Sequence, residues 1–264
     1  MRPPAKPAPA AFRPKDGVQL LALPGLPEIR KGDDLAGAIA GAARKQGLAF
    51  EDGDVLVVAQ KIVSKAEGCI VALAQVRPSA AARALGKTLR SDPRFVEVVL
   101  SETRRIVRES AHVLIVETHH GLVCANAGVD RSNVPGRDVV SLLPRDPDAS
   151  AKRLAAALRK RTRKRVAVII SDTFGRAWRL GLVNVAIGAA GLAVLRDLRG
   201  ERDRTGKLLH ATILAVADEL AAAAGLLMGK AEGVPAVVIR GYAFAAASEP
   251  AAKIIRPARE DLFR

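Results

Sequence analysis

The chain predicts a mixed α/β or α+β fold with neither a Rossmann nor a P-loop core. Three observations carry this expectation. Apolar, β-branched runs of strand length occur at 54–59, 166–170 and 236–240, and alanine-rich stretches of helical length at 149–160 and 212–228. The connections between them mix hairpin lengths with crossover lengths, so they do not make a clean alternating βαβ array. Neither GxxxxGK[ST] nor GxGxxG occurs in the sequence.

Taken in order, residues 1–17 are rich in proline and basic groups and lack a hydrophobic stretch, so they read as a disordered tail rather than a secretory signal. Residues 20–23 form a short extended segment. Asp33 or Asp34 is placed to cap a helix reaching Gln46, with Leu35 and Ile39 four apart and Gly47 as its stop. The strand 54–59 runs straight into Gln60-Lys61-Ile62-Val63-Ser64-Lys65. A helical stretch at 79–86 and a polar segment at 101–110 follow. Two strands at 113–116 and 122–127 precede a loop at 128–144. Beyond the helix 149–160 and the strand 166–170 come apolar segments at 184–188 and 192–195 and a polar loop at 199–206. The long alanine-rich helix and the strand 236–240 close the core. No repeat or long linker divides the chain, and 18–264 reads as one domain.

Composition narrows the function. Apolar residues make up 49% but aromatics only 3%, so Ala, Val, Leu and Ile must fill the core. No run is long and uncharged enough to cross a bilayer, so no membrane partner is expected, and without an export signal the cytoplasm is the expected compartment. Cys69 and Cys124 have no CxxC spacing and read as buried free thiols. The histidines include no HxxxH or HExxH, so a bound metal would be held mainly by carboxylates. A net charge of +15 favours anionic partners, nucleotides and coenzymes as much as nucleic acid. The densest basic run, 159–165, ends a helix, where cations suit the dipole, and reads as a solvated face.

Three segments carry candidate chemistry. In 125–133, small residues at a strand end release Asp130, Ser132 and Asn133 together, either as a cation-holding turn or as an ordinary Asx turn. In 171–176, a buried strand delivers Asp172 and Thr173, a pairing suited to a phosphate-bridging cation, with Arg176 and Arg179 nearby for anions. Asp130 and Asp172 are thus candidates to share a metal. In 60–68, Lys65 follows a strand as a phosphate lysine would, although Lys61 and Lys65 taken alone read as solvated ends of a helical turn.

GLPEIRKGDDL (25–35), AQKIVSKAEG (59–68), CANAGVDRSN (124–133), SDTFGRAWRLG (171–181), NVAIG (184–188), VADELAAAAGLLMGKAEG (216–233) and RPAREDLFR (256–264) stand in this order. Together they closely resemble the coenzyme F-420-0 gamma-glutamyl ligase family over residues 19–264. The resemblance implies a family-specific fold of two entwined lobes and a homodimer. It implies a reaction in which GTP, L-glutamate and a divalent cation, Mg²⁺ or Mn²⁺ at two sites, extend the deazaflavin coenzyme F-420-0, with room for K⁺. By the family's motifs Leu26, Pro27, Glu28 and Ile29 line the nucleotide site, and Gln60 and Lys65 contact GTP. Asp130 and Asp172 hold the first metal, Thr173 belongs to the second, and Asn133 touches the nucleotide. One departure stands out: Ile213 occupies the position where similar proteins carry a second-metal Glu or Gln, leaving Glu201 or Asp203 as substitutes. A paralogue with another substrate is the alternative that Ile213 supports. Nucleic-acid binding is the other, and the eight aromatics, none interleaved with the basic run, speak against it.

Overall fold

The computed structural model describes residues 17–134, 136 and 138–261. The tail expected at 1–17 lies, Gly17 apart, outside the described residues, as does the end of the 256–264 block. In chain order the elements begin with β1 (Gln19–Ala22), α1 (Leu35–Lys45), β2 (Val55–Ala59), α2 (Gln60–Glu67) and β3 (Ile70–Ala72). Then come α3 (Ala80–Leu89), α4 (Pro93–Ser101), β4 (Thr103–Glu109), β5 (Leu114–Thr118), β6 (Val123–Ala125) and β7 (Val139–Ser141). The remainder is α5 (Pro147–Thr162), β8 (Ala167–Arg176), β9 (Arg179–Ala190), β10 (Arg196–Asp197), β11 (Ile213–Leu214), α6 (Val216–Met228) and β12 (Ala236–Arg240).

The central sheet has the order β1-β12-β2-β8-β9, with only β2 and β8 parallel. The arrangement is the expected mixture of α and β, with no closed barrel. Strand alternation divides the core between the two sheet faces. Leu56, Val58, Val168, Ile170 and Val238 point to one face and are covered by Ile39 of α1 and Leu154 and Leu158 of α5. Val55, Val57, Ile169, Val237 and Ile239 point to the other, where Leu220 and Ala224 of α6 pack. Both faces are dry, which is why these strands read as unbroken apolar runs. A third buried cluster joins Leu89, Val96 and Val99 of α3 and α4 to Leu114 and Val116 of β5. It lies beside the small sheet β4-β5-β6.

Helix starts follow the capping rules. Asp34, Ser79 and Asp146 each accept a hydrogen bond from the backbone N–H three residues on, at 3.0, 3.1 and 2.9 Å. Four expectations need correction. Residues 101–110, read as a polar segment, form the end of α4 and strand β4. That strand is polar because it is exposed, and Arg104 and Arg105 reach across to Glu117 of β5 at 3.3 and 3.1 Å. The loop 128–144 contains β7 and a bridge between Asp130 and Ser141. The strand 166–170 runs on to Arg176, its polar half carried by pairing with β9. The long helix starts at Val216 rather than 212, because Ile213 and Leu214 pair with Asp197 and Arg196 as β-structure.

Strand β9 carries a bulge where the chemistry begins. Ile170 pairs with Gly188 but Ser171 pairs with Ala186, so Ile187 is the extra residue. Two helices satisfy the N–H groups this edge leaves open. Asp218 of α6 accepts from Ala186 at 2.9 Å, and Asp148 of α5 accepts from Ala189 at 2.8 Å. Among the described residues no helix is long and apolar enough to cross a membrane.

Candidate active site

The parallel pairing of β2 with β8 ends at Ala59 and Ser171, and a cleft of about 640 Å³ opens there. Carboxyl ends of neighbouring parallel strands are where open sheets hold ligands, because the chain must leave the sheet there. Helix α2 begins directly at the end of β2. Its N-cap, Ala59, is extended and has no side chain to bond the first-turn N–H groups, which leaves them for an anion.

Three side chains of α2 serve the cleft. Gln60 is 1% exposed; its Oε1 accepts from Ser64 Oγ at 2.8 Å, while its buried Nε2 has no partner. A buried amide donor without a partner costs about 1–3 kcal/mol, so one aimed at a cleft is poised for a ligand. Lys65 is 9% exposed, and its ammonium lies 2.6 Å from the Glu28 carboxylate. Lys61 lies 2.6 Å from Asp130 and 2.5 Å from Ser132 Oγ. The reading of Lys61 and Lys65 as solvated helix ends is therefore overturned: both are folded inward onto acidic partners.

Asp130 also accepts the Ser132 N–H at 2.7 Å and the Ser132 hydroxyl at 3.0 Å. Burial works against its charge, yet Lys61 and Ser132 outweigh that and hold the carboxyl below its usual range. Asp172 is the opposite case. Burial pushes it up to about 6, with the Thr173 N–H, Lys230 and Lys61 opposing and the negative Asp130 adding to the rise. The two carboxylates therefore feel one another, with Lys61 acting on both. Thr173 Oγ1 lies 3.1 Å from Asn184 Oδ1, and Asn133 reaches the Lys230 carbonyl at 3.3 Å.

The cleft gathers Leu26, Pro27, Glu28, Ile29, Gln60, Lys65, Asn133, Asp172 and Thr173 from four separate stretches of chain. Asp130 stands one residue behind, joined through Lys61. Residues 25–241 match the family described as F420-0:Gamma-glutamyl ligase. The chain belongs to that family. It is 47% identical over 251 residues to the coenzyme F420:L-glutamate ligase of Methanothermobacter thermautotrophicus, covering 94% of this chain and 99% of the relative. The Methanopyrus kandleri enzyme of that name is 50% identical over 215 residues, covering 81% and 83%. The Methanocaldococcus jannaschii enzyme is 44% identical over 216 residues, covering 81% and 86%.

The divalent cation that the resemblance implies can be set against the donors present. Among the described residues no three His, Cys, Asp or Glu side chains converge, so the protein does not build a carboxylate cage. A Mg²⁺ ion suits such a site, since it takes one or two carboxylates and fills its shell with water and phosphate oxygens. Asp172, an acid on which Lys230, Lys61 and Asp130 all act, and the adjacent Thr173 hydroxyl fit that role. Ile213 is 42% exposed in β11 and does not line the cleft. Neither do Glu201 and Asp203, and Asp203 is consumed by its own loop, accepting from Thr205 and Lys207.

Among the lining residues that escaped the sequence reading, three stand beside Asp172. Lys230 and Met228 come from the end of α6, and Asn184 stands opposite Thr173 on β9. The NVAIG and LLMGKAEG blocks contained them, but only the fold brings Met228 and Lys230 to the cleft, and only the β8–β9 register sets Asn184 opposite Thr173. Cys124 is confirmed as a buried thiol; burial and the nearby Asp172 push it up to about 12, so it is inert as a nucleophile.

Proposed function

We propose that this chain is a GTP-dependent ligase that joins L-glutamate to coenzyme F-420-0 through an amide bond. The observation that carries the reading is the cleft where the pairing of β2 with β8 ends. There an uncapped helix start, a buried lysine and an orphaned glutamine donor face a strand-borne aspartate. These are the parts that phosphoryl transfer demands: positioning and charge neutralisation, with no side-chain nucleophile. The names of the relatives supply the substrate class.

The chemistry follows from the poor leaving ability of a carboxylate oxygen. The coenzyme's carboxylate attacks the γ-phosphorus of GTP, GDP leaves, and an acyl phosphate forms. The glutamate amine then attacks the acyl carbon, loses a proton, and inorganic phosphate departs. The α2 N–H groups and Lys65 would receive phosphate oxygens, and Glu28 must release Lys65 for that. Asp172 and Thr173, with Asp130 behind Lys61, would hold Mg²⁺ or Mn²⁺, which supplies charge neutralisation at the phosphates.

We infer a homodimer as well. The β8–β9 hairpin projects beyond the site with Leu180 fully exposed, Trp178 81% exposed and Leu182 62% exposed. A monomer rarely leaves so apolar a tip in water, and a second copy would cover it.

Incubation with GTP, Mn²⁺, glutamate and the unglutamylated coenzyme, followed by mass spectrometry, tests the reaction. The expected product is heavier by one or more glutamyl units and appears only with nucleotide. Ligation without nucleotide, or none under any condition, overturns the assignment. Light scattering tests the dimer: twice the chain mass is expected, and Leu180→Asp with Leu182→Asp should halve it.

A further inference from the structure

At the opposite end of the sheet from the active-site cleft, the starts of β2 and β8 open into a larger hollow of about 1370 Å³. Gly53 and Val166, just ahead of these strands, lie in its lining, as Ala59 and Ser171 lie in the other. Five residues of strand separate the two, or about 15 Å. The hollows are distinct.

Four cations converge on it: Arg159 and Lys160 from the last turn of α5, and Arg163 and Arg165 just beyond. The acids nearby are already engaged. Asp52 is shared by Lys164 and Arg165 at 3.9 Å each, and Glu51 and Asp54 are held by Arg240 at 2.6 and 2.8 Å. Arg161 of the same run turns away to Asp34. Among the described residues Arg159, Lys160 and Arg163 have no ion-pair partner. Compensation of the α5 dipole asks for a cation or two in its last turn. It does not account for a concave wall of four.

Two aromatics complete the wall. Tyr242 and Phe244 follow β12, pack partly on the core and remain partly exposed to the hollow. The linear sequence separates them from the basic run by about eighty positions, so the run looked bare of stacking groups; the fold brings them to it. Clustered unpaired cations beside partly exposed aromatics recognise a molecule that is anionic at one end and planar at the other. The hollow is open to solvent on one side but carries only two aromatics, whereas a nucleic-acid strand needs a track of stacking positions. A single nucleotide fits.

We propose that this hollow is a second nucleotide-binding site, with phosphates on Arg159, Lys160 and Arg163 and the base against Tyr242 or Phe244. Titration calorimetry of the full chain with GTP, ATP and inorganic tripolyphosphate tests it, alongside R159E/R163E, F244A and K65A. One nucleotide-binding event should survive K65A and weaken at least tenfold in R159E/R163E. F244A should weaken that event for nucleotides while leaving tripolyphosphate binding unchanged. The arginines are exposed, so unchanged melting is expected, and R159Q/R163Q provides a milder second pair. Nucleotide binding indifferent to both arginine pairs overturns the proposal. So does a single-stranded oligonucleotide that binds through these arginines and is not displaced by mononucleotide. Because K65A reports on the other cleft, failure of the ligase reading and failure of this site give different results.

Discussion

The Lys61 ammonium sits 2.6 Å from the Asp130 carboxylate and also acts on Asp172, so one cation holds two acids that repel each other. On the proposed reading a divalent ion would take over that role, and both acids would be essential to turnover. Asp130→Asn and Asp172→Asn should each reduce kcat at least about a hundredfold with the fold intact. Steady-state ligation at saturating Mn²⁺, with circular dichroism as control, checks this. Near-normal turnover in either variant removes that residue from the metal site.

Lys65 faces Glu28 rather than open space. If the lysine serves phosphate, the two substitutions should act in opposite directions. Lys65→Ala should raise KM for GTP, because the buried cation is lost. Glu28→Gln should leave KM unchanged or lower it, since an acid that competes for the lysine is neutralised. Equal KM increases in both variants would mean that the pair is needed intact.

Much of this site was legible from residue order, and the reason is physical. Asp172 and Lys65 each follow a continuous β-branched run, and such runs are strands whatever surrounds them. The helix caps at Asp34 and Ser79 were legible because capping is local. Strand β4 was not, since an exposed strand of arginines and glutamate lacks an apolar period and exists through its pairing with β5. The start of α6 was missed because Ile213 is drawn into a two-residue pairing with Asp197 that no local signal announces. The aromatics beside Arg159 were invisible for the same reason: proximity across eighty residues belongs to the fold.

Gly188 should tolerate no side chain. A Cβ there would lie 2.4 Å from the Pro147 carbonyl oxygen, at the point where α5 starts against β9. The contact is with backbone on both sides, so neither can rotate away. Gly188→Ala should destabilise by about 1–3 kcal/mol, the range of overpacked cores. It should also loosen Asp148 from Ala189, only one residue on. Urea midpoints measure the first effect and amide exchange at Ala189 the second.

Asp218 gives a pH-dependent test of the bulge that sets Asp172. Burial raises its carboxyl above the usual value, and the Ala186 N–H opposes this without overcoming it. As pH rises through the ordinary carboxylate range, near 4, the unfolded chain releases this proton before the folded one does. The group therefore costs stability above that range and none below it. Asp218→Asn keeps an oxygen for Ala186 but cannot ionise. It should match wild type in acid and become the more stable protein as pH rises. Asp218→Ala leaves the N–H without its acceptor and should lose about 1–2 kcal/mol in acid, with the gap to wild type narrowing as pH rises. Denaturant unfolding of all three across this interval decides the matter. An Asn variant less stable than wild type at neutral pH would show that the charged carboxylate, not merely its oxygen, holds the bulge.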